Sequence, residues 1–92
     1  MQFMVIEHFK DVAAIYQRFA ERGRMLPEGL SFVSSWIDQD LQRCFQVMET
    51  DDPNLFAEWT ACWNDLADFE IIPVFNSQEA AARVASAVHR SD

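Results

Sequence analysis

Residues 2–9 read Gln2-Phe3-Met4-Val5-Ile6-Glu7-His8-Phe9. Apolar side chains occupy both alternating sets, with Phe3, Val5 and Phe9 on one and Met4 and Ile6 on the other. A half-exposed strand alternates apolar with polar, whereas a strand covered on both faces is apolar nearly throughout. This segment is therefore expected at the centre of a sheet whose two faces both need a cover.

Working outward, Asp11 to Arg22 carries Val12, Ile15, Tyr16 and Phe19 at helical spacing, with Asp11 placed to cap its start and Gly23 to end it in a left-handed conformation. Arg24-Met25-Leu26-Pro27-Glu28-Gly29 is a turn whose Met25 and Leu26 are apolar enough to close the edge of a core. Leu30–Ile37 and Arg43–Glu49 read as a hairpin reversing at Asp38-Gln39-Asp40. Thr50-Asp51-Asp52-Pro53 opens a second helix that runs to about Leu66, and Leu55, Phe56, Trp59, Cys62, Trp63 and Leu66 form its apolar stripe. Phe69–Phe75 is a fourth strand, which Pro73 confines to an edge or a bulge because it cannot donate to a ladder. Ser77 is expected to cap a last, alanine-rich helix.

The order βαββαβ plus a helix, with right-handed crossovers, predicts one ferredoxin-like α+β domain over residues 1–92, its four antiparallel strands in the order 4-1-3-2. Helices cover one face of such a sheet. The apolar residues on the other face predict that a second copy of the chain covers it, forming a homodimer. At 92 residues with 50% hydrophobic content, eight Phe and three Trp, the chain has more apolar bulk than a thin monomer readily hides.

Charge narrows the partners. Fifteen acids against seven Lys and Arg give −8, the wrong sign for a nucleic-acid backbone or an anionic membrane surface. No apolar run approaches the ~20 residues that span a bilayer, and Met1–Lys10 lacks the features of a signal peptide. A cytoplasmic location is expected, with Cys44 and Cys62 as reduced thiols. Neither cysteine sits in a metal-binding spacing, and no metal or cofactor is expected.

Several stretches together resemble the DUF3303 family of small bacterial proteins of unknown function. They are Phe3 to Phe9, Arg22 to Leu30, Ser35-Trp36, Arg43 to Gln46, Met48 to Asp52, Trp59, Trp63, Asp65-Leu66, Phe69-Glu70 and Pro73-Val74. The family is similar to the dimeric α+β barrel superfamily, in which two ferredoxin-like sheets face each other. That likeness implies a cofactor-independent oxygenase or isomerase for aromatic substrates, a haem degrader, or a small-molecule binding module. Haem degraders of the superfamily use a histidine just beyond the fourth strand, where this chain has Val74-Phe75-Asn76-Ser77, and His89 lies far along the last helix.

Candidate site residues follow from chemistry. His8, the one histidine in the expected sheet, would serve as a general base or polarise a carbonyl, while a hydrogen-bonded strand-end histidine is the plainer reading. Glu7 points to the opposite face and forms no dyad with it. Trp59 and Trp63 would wall a planar ligand or simply fill the core. If Asp38 pairs with Gln42, then Phe32, Ser34, Trp36, Cys44, Gln46 and Met48 share a face that mixes bulk with polar groups. A one-residue slip would instead bring Arg43, Phe45 and Val47 beside Ser34 and Trp36. Cys44 as a nucleophile needs a nearby cation, and Arg43 points away from it. Arg24 and Arg43 are the cations suited to a ligand carboxylate, with surface ion pairs as the alternative.

The residues support binding of a small, partly apolar molecule by a dimeric barrel. The alternatives are a cofactor-free oxygenase or isomerase working through His8, Trp36 and Gln46, and an interaction module without a pocket.

Overall fold

The computed structural model describes residues 1–91, with side chains described through residue 88. The elements are β1 (Gln2–Phe9), α1 (Val12–Arg22), β2 (Ser31–Ile37), β3 (Arg43–Glu49), α2 (Leu55–Ala61), β4 (Ala67–Val74) and α3 (Ser77–Ser91). All strand pairs are antiparallel, in the order β2-β3-β1-β4. This is the ferredoxin-like α+β arrangement with a C-terminal helix, and β1 is interior as its doubly apolar pattern requires. Pro73 lies on β4, an edge strand, where a missing N–H costs no ladder bond.

Burial along β1 follows its alternation. Phe3, Val5 and Glu7 are buried against the helices, while Met4, Ile6 and His8 face the helix-free side and are half-exposed. The core joins Phe3, Val5, Met48 and Ala67 of the sheet to Ile15 of α1 and to Phe56, Trp59 and Trp63. Edge-to-face contacts such as Phe3–Phe56 at 5.0 Å and Trp59–Phe69 at 5.4 Å between ring centroids orient this aromatic layer. Arg18 ties α1 to the segment before β4 through a bidentate pair with Asp65 at 2.8 and 2.7 Å and a bond to the Cys62 carbonyl.

Local signals succeed and fail for identifiable reasons. Asp11 caps α1 by accepting from the Ala14 N–H, and Gly23 ends it at φ 68°. The second helix is shorter than its stripe suggests: Asp52 and Pro53 form a turn, α2 starts at Leu55, and it ends at Ala61, where tighter i→i−3 turns take over. Trp63 still reaches the core because tight turns over Cys62–Leu66 keep it beside Trp59. Asn76 caps α3, not Ser77: its side-chain oxygen accepts from the Glu79 N–H. The side chain of His89 lies outside the described residues.

The hairpin carries the main correction. Phe32 pairs with Met48, as a register with Asp38 opposite Gln42 requires. A bulge at Val33 then inserts one residue, so Ser34 pairs with Val47, Ser35 with Gln46, Trp36 with Phe45 and Ile37 with Cys44. Asp38 opposes Arg43, whose carbonyl accepts its N–H at 3.0 Å. Since side chains alternate with period two, the inserted residue moves Ser34 and Trp36 to the helix-free face and brings Ser35 and Ile37 to the helix face.

α3 stands apart from this body. Val84 and Val88 are 63% and 58% exposed. The radius of gyration of 15.9 Å exceeds the ~12 Å expected of a compact chain of this length.

Candidate functional site

Between sheet and helices lies a half-open cleft of about 170 Å³. Its floor is β1 and β3: Glu7 with its cross-strand partner Cys44, and Gln46 two residues along. Ser35 and Ile37, delivered by the bulge, extend the floor across β2. Ile15, Tyr16 and Phe19 of α1 form one wall, and Trp59 with Trp63 the other. Apolar walls above a floor bearing a few polar groups are the usual make-up of a small-molecule site.

Arg24 is the one cation lining the cleft among the described residues, and its position is over-determined. Gly23 and Met25 flank it at φ 68° and 57°, so the chain turns sharply through the left-handed region on both sides. Both tryptophans donate their indole N–H to the Arg24 carbonyl, Trp59 at 2.9 Å and Trp63 at 3.2 Å. The guanidinium lies 3.5 Å over the Phe32 ring and 5.1 Å from Phe19. Among the described residues no carboxylate approaches within the 4.0 Å of an ion pair.

Two floor residues are polar and buried, Glu7 at 7% exposure and Gln46 at 5%. Neither side chain has a hydrogen-bond partner among the described residues, and since no fully enclosed side-chain N or O atom there lacks one, their polar atoms reach the open cleft. Burial pushes the Glu7 carboxyl up from 4.5 to about 7, against the opposing pull of the Arg24 charge. Burial also raises the Cys44 thiol to about 12, with Glu7 adding to the shift and Arg24 offsetting it. Cys44 is therefore a neutral thiol that packs and donates weakly, the reverse of an activated nucleophile.

Over residues 1–88 the sequence matches the family described as Domain of unknown function (DUF3303). The chain belongs to the DUF3303 family. No curated protein and no solved structure matches it.

Of the residues that the sequence of this DUF3303 protein singled out, the structure brings Cys44, Gln46, Trp59, Trp63 and Arg24 together around the cleft. His8, Ser34 and Trp36 are on the other side of the sheet. His8 Nε2 lies 3.0 Å from Glu70 Oε1, and Trp36 is 63% exposed. Arg43 also faces away from the cleft and pairs with Asp38 at 3.2 Å. No group of three or more metal-ligating side chains converges among the described residues.

Glu7, Ser35, Tyr16 and Phe19 are among the cleft residues that sequence reasoning did not take as site candidates. For Glu7 a signal existed, since an acid on the set of Phe3, Val5 and Phe9 must be buried if that set faces the helices. For Ser35 there was none, because its face depends on the bulge.

Proposed function

We propose that this DUF3303 protein binds a small, partly apolar molecule in the cleft between its sheet and helices. The observation that carries this reading is the pair Glu7 and Gln46, more than nine-tenths buried, bordering the cleft and without intramolecular partners. No side-chain N or O atom is fully enclosed without a partner among the described residues, so the polar atoms of Glu7 and Gln46 open onto the cleft, where a ligand's polar atoms can bond them in place of solvent. The volume suits the occupant, since an apolar cavity of about 150 Å³ accepts benzene. Titration of ¹⁵N-labelled protein with a panel of single-ring aromatic compounds tests the idea. Shifts at the Gln46 amide and at the Trp59 and Trp63 indole signals support it, and a panel that moves none of them overturns it.

A catalytic variant of the same reading has its own support in Glu7. A carboxyl that titrates near neutrality is matched to proton transfer, which suits an isomerase more than an oxygenase. Glu7 then takes the part that the sequence suggested for His8. Turnover of an enolisable ligand that stops in Glu7→Gln, with binding kept, separates enzyme from binder.

The partner we propose for the helix-free face is a second copy of the chain. Cross-strand rows place Ser34-Val47-Met4-Ile72 and Trp36-Phe45-Ile6-Glu70 side by side, an apolar band with Trp36 and Ile72 well exposed. Exposed contiguous apolar surface of this kind marks interaction sites. Arg43 and Glu49 sit at opposite ends of β3. A twofold axis that reverses strand direction would therefore set one copy's Arg43 near the other's Glu49 and make the face self-complementary. The fold is compatible with the dimeric α+β barrel superfamily in this respect.

A further inference from the structure

We propose that the molecule bound in the cleft carries one carboxylate, its charge met by the Arg24 guanidinium and its second oxygen hydrogen-bonded by the Glu7 carboxyl in protonated form. This rests on the reading of the cleft as a ligand site and names the class of ligand: a planar, benzoate-sized monoanion.

Three observations carry it. In a chain with fifteen acids and seven Lys and Arg, cations are scarce. Lys10, Arg18 and Arg43 each have a carboxylate within 4.0 Å, while Arg22, Arg24 and Arg83 have none among the described residues. Arg22 and Arg83 are exposed and away from the cleft, whereas Arg24 lines it, its backbone held by two indole donors and its guanidinium stacked on Phe32 at 3.5 Å. A stacked, immobilised guanidinium with free N–H groups is pre-organised to grip a planar carboxylate.

Secondly, Glu7 is the one carboxyl that lines the cleft among the described residues. The other titratable or charged groups lining it are Cys44 from β3, Arg24 from the loop and Tyr16 from α1. The second cross-strand neighbour, Phe69 of β4, and the tryptophans beyond α1 carry no charge. An anion entering beside an ionised Glu7 would meet a like charge in a poorly solvated site, so the anion enters as Glu7 takes up a proton. The resulting O–H···O⁻ bond belongs to the short, strong class. Above the Glu7 titration one proton is taken from solvent for each anion bound, and below it Glu7 already holds that proton. Thirdly, Gln46 and Ser35, paired across β3 and β2, supply amide and hydroxyl groups for a second polar substituent on the ring.

The test uses benzoate as probe and benzyl alcohol as its neutral counterpart, with binding followed by tryptophan fluorescence and by calorimetry in two buffers of different ionisation heat. Benzoate is expected to bind at least about tenfold more tightly than benzyl alcohol at pH 6, with uptake of close to one proton per anion at pH 8. Its affinity should fall by up to about tenfold per pH unit above pH 7 as Glu7 ionises. Glu7→Gln should flatten that pH profile while keeping benzoate binding, and Arg24→Met should lose benzoate while keeping benzyl alcohol within about twofold. Arg24→Lys, which keeps the charge without the fork, should recover part of the affinity. If benzyl alcohol binds as well as benzoate at pH 6, or benzoate binds with no proton uptake at pH 8, the carboxylate inference falls while the cleft stands. If neither probe binds, both fall.

Discussion

Glu7 and Cys44 are direct cross-strand partners on β1 and β3, and both side chains border the cleft. Burial disfavours the charge on both, and a charge on Glu7 pushes the Cys44 thiol up further. The floor of the cleft is thus uncharged over much of the pH range, with Arg24 above it as the fixed charge.

Folding stability should carry the mark of Glu7. In the folded chain Glu7 keeps its proton up to about pH 7, whereas the unfolded chain releases it near 4.5. Between those values the folded state binds more protons, so stability is lost as pH rises through this window, by about 3 kcal/mol in all. Glu7→Gln should match the wild type near pH 4.5 and exceed it by roughly 2–3 kcal/mol at pH 8. Urea midpoints at the two pH values measure this, and parallel profiles for both proteins would remove the basis for a buried acid. Asp38 and Asp65 have the opposite sign: both are lowered by hydrogen bonds, to backbone N–H groups for Asp38 and to Arg18 for Asp65. Their contribution is lost only on acidification below the usual aspartate range.

The thiols should differ in reactivity. With Cys44 raised to about 12 from an ordinary 9.0, its thiolate fraction at pH 8 is about a thousandfold below that of a free thiol. Disulfide-exchange reagents should therefore titrate the half-buried Cys62 first and reach Cys44 only as the chain opens. Glu7→Gln should speed Cys44 by removing the adjacent acid. Equal rates at both cysteines in the folded protein would show that Cys44 is neither buried nor shifted.

Trp59 and Trp63 share one acceptor, and this makes their substitutions non-additive. Trp→Phe at either site leaves the Arg24 carbonyl one indole donor, while the double variant leaves it none. The double variant should lose about 1 kcal/mol beyond the sum of the singles, because the part-buried carbonyl is then left without either indole donor. A thermal-denaturation cycle across the four proteins reads this coupling. Simple additivity would mean that the carbonyl finds another donor and that Arg24 is held by something else.

Placing a charge at the centre of the helix-free band should dissociate the dimer proposed above. Trp36→Glu adds an acid at a side chain that is 63% exposed in the single chain, so the folded monomer should survive with its far-ultraviolet spectrum unchanged. Sedimentation velocity should give a dimer for the wild type and a monomer for the variant. A wild-type monomer at about 100 μM, far above the nM range of ordinary specific interfaces, would rule the second copy out.

Most of the scaffold was legible because it depends on local patterns. The two apolar sets of β1 require an interior strand, Pro73 an edge strand, Asp11 a helix start and Gly23 its end. Each of these signals acts within a few residues and survives any tertiary context. The helix after Pro53 was misjudged at both ends because an apolar stripe continues through tight turns as readily as through a helix, and Trp63 keeps its inward place either way.

The site was only half legible. Cys44 and Gln46 lie on β3, whose pairing with β1 is regular, so their face follows from their own alternation. Ser34, Ser35, Trp36 and Ile37 lie beyond Val33, where one inserted residue exchanges the two faces of β2, and nothing in Ser31-Phe32-Val33-Ser34 announces the insertion. A period-two pattern has no memory of a one-residue slip, so the bulge is decided by which residues the helices will accept beneath them. The identity of the acid in the cleft also waited on tertiary structure. The sequence alone determined that Glu7 and His8 face opposite ways, and only the packing of α1 and the tryptophans onto one side of the sheet decided that Glu7 is the buried one.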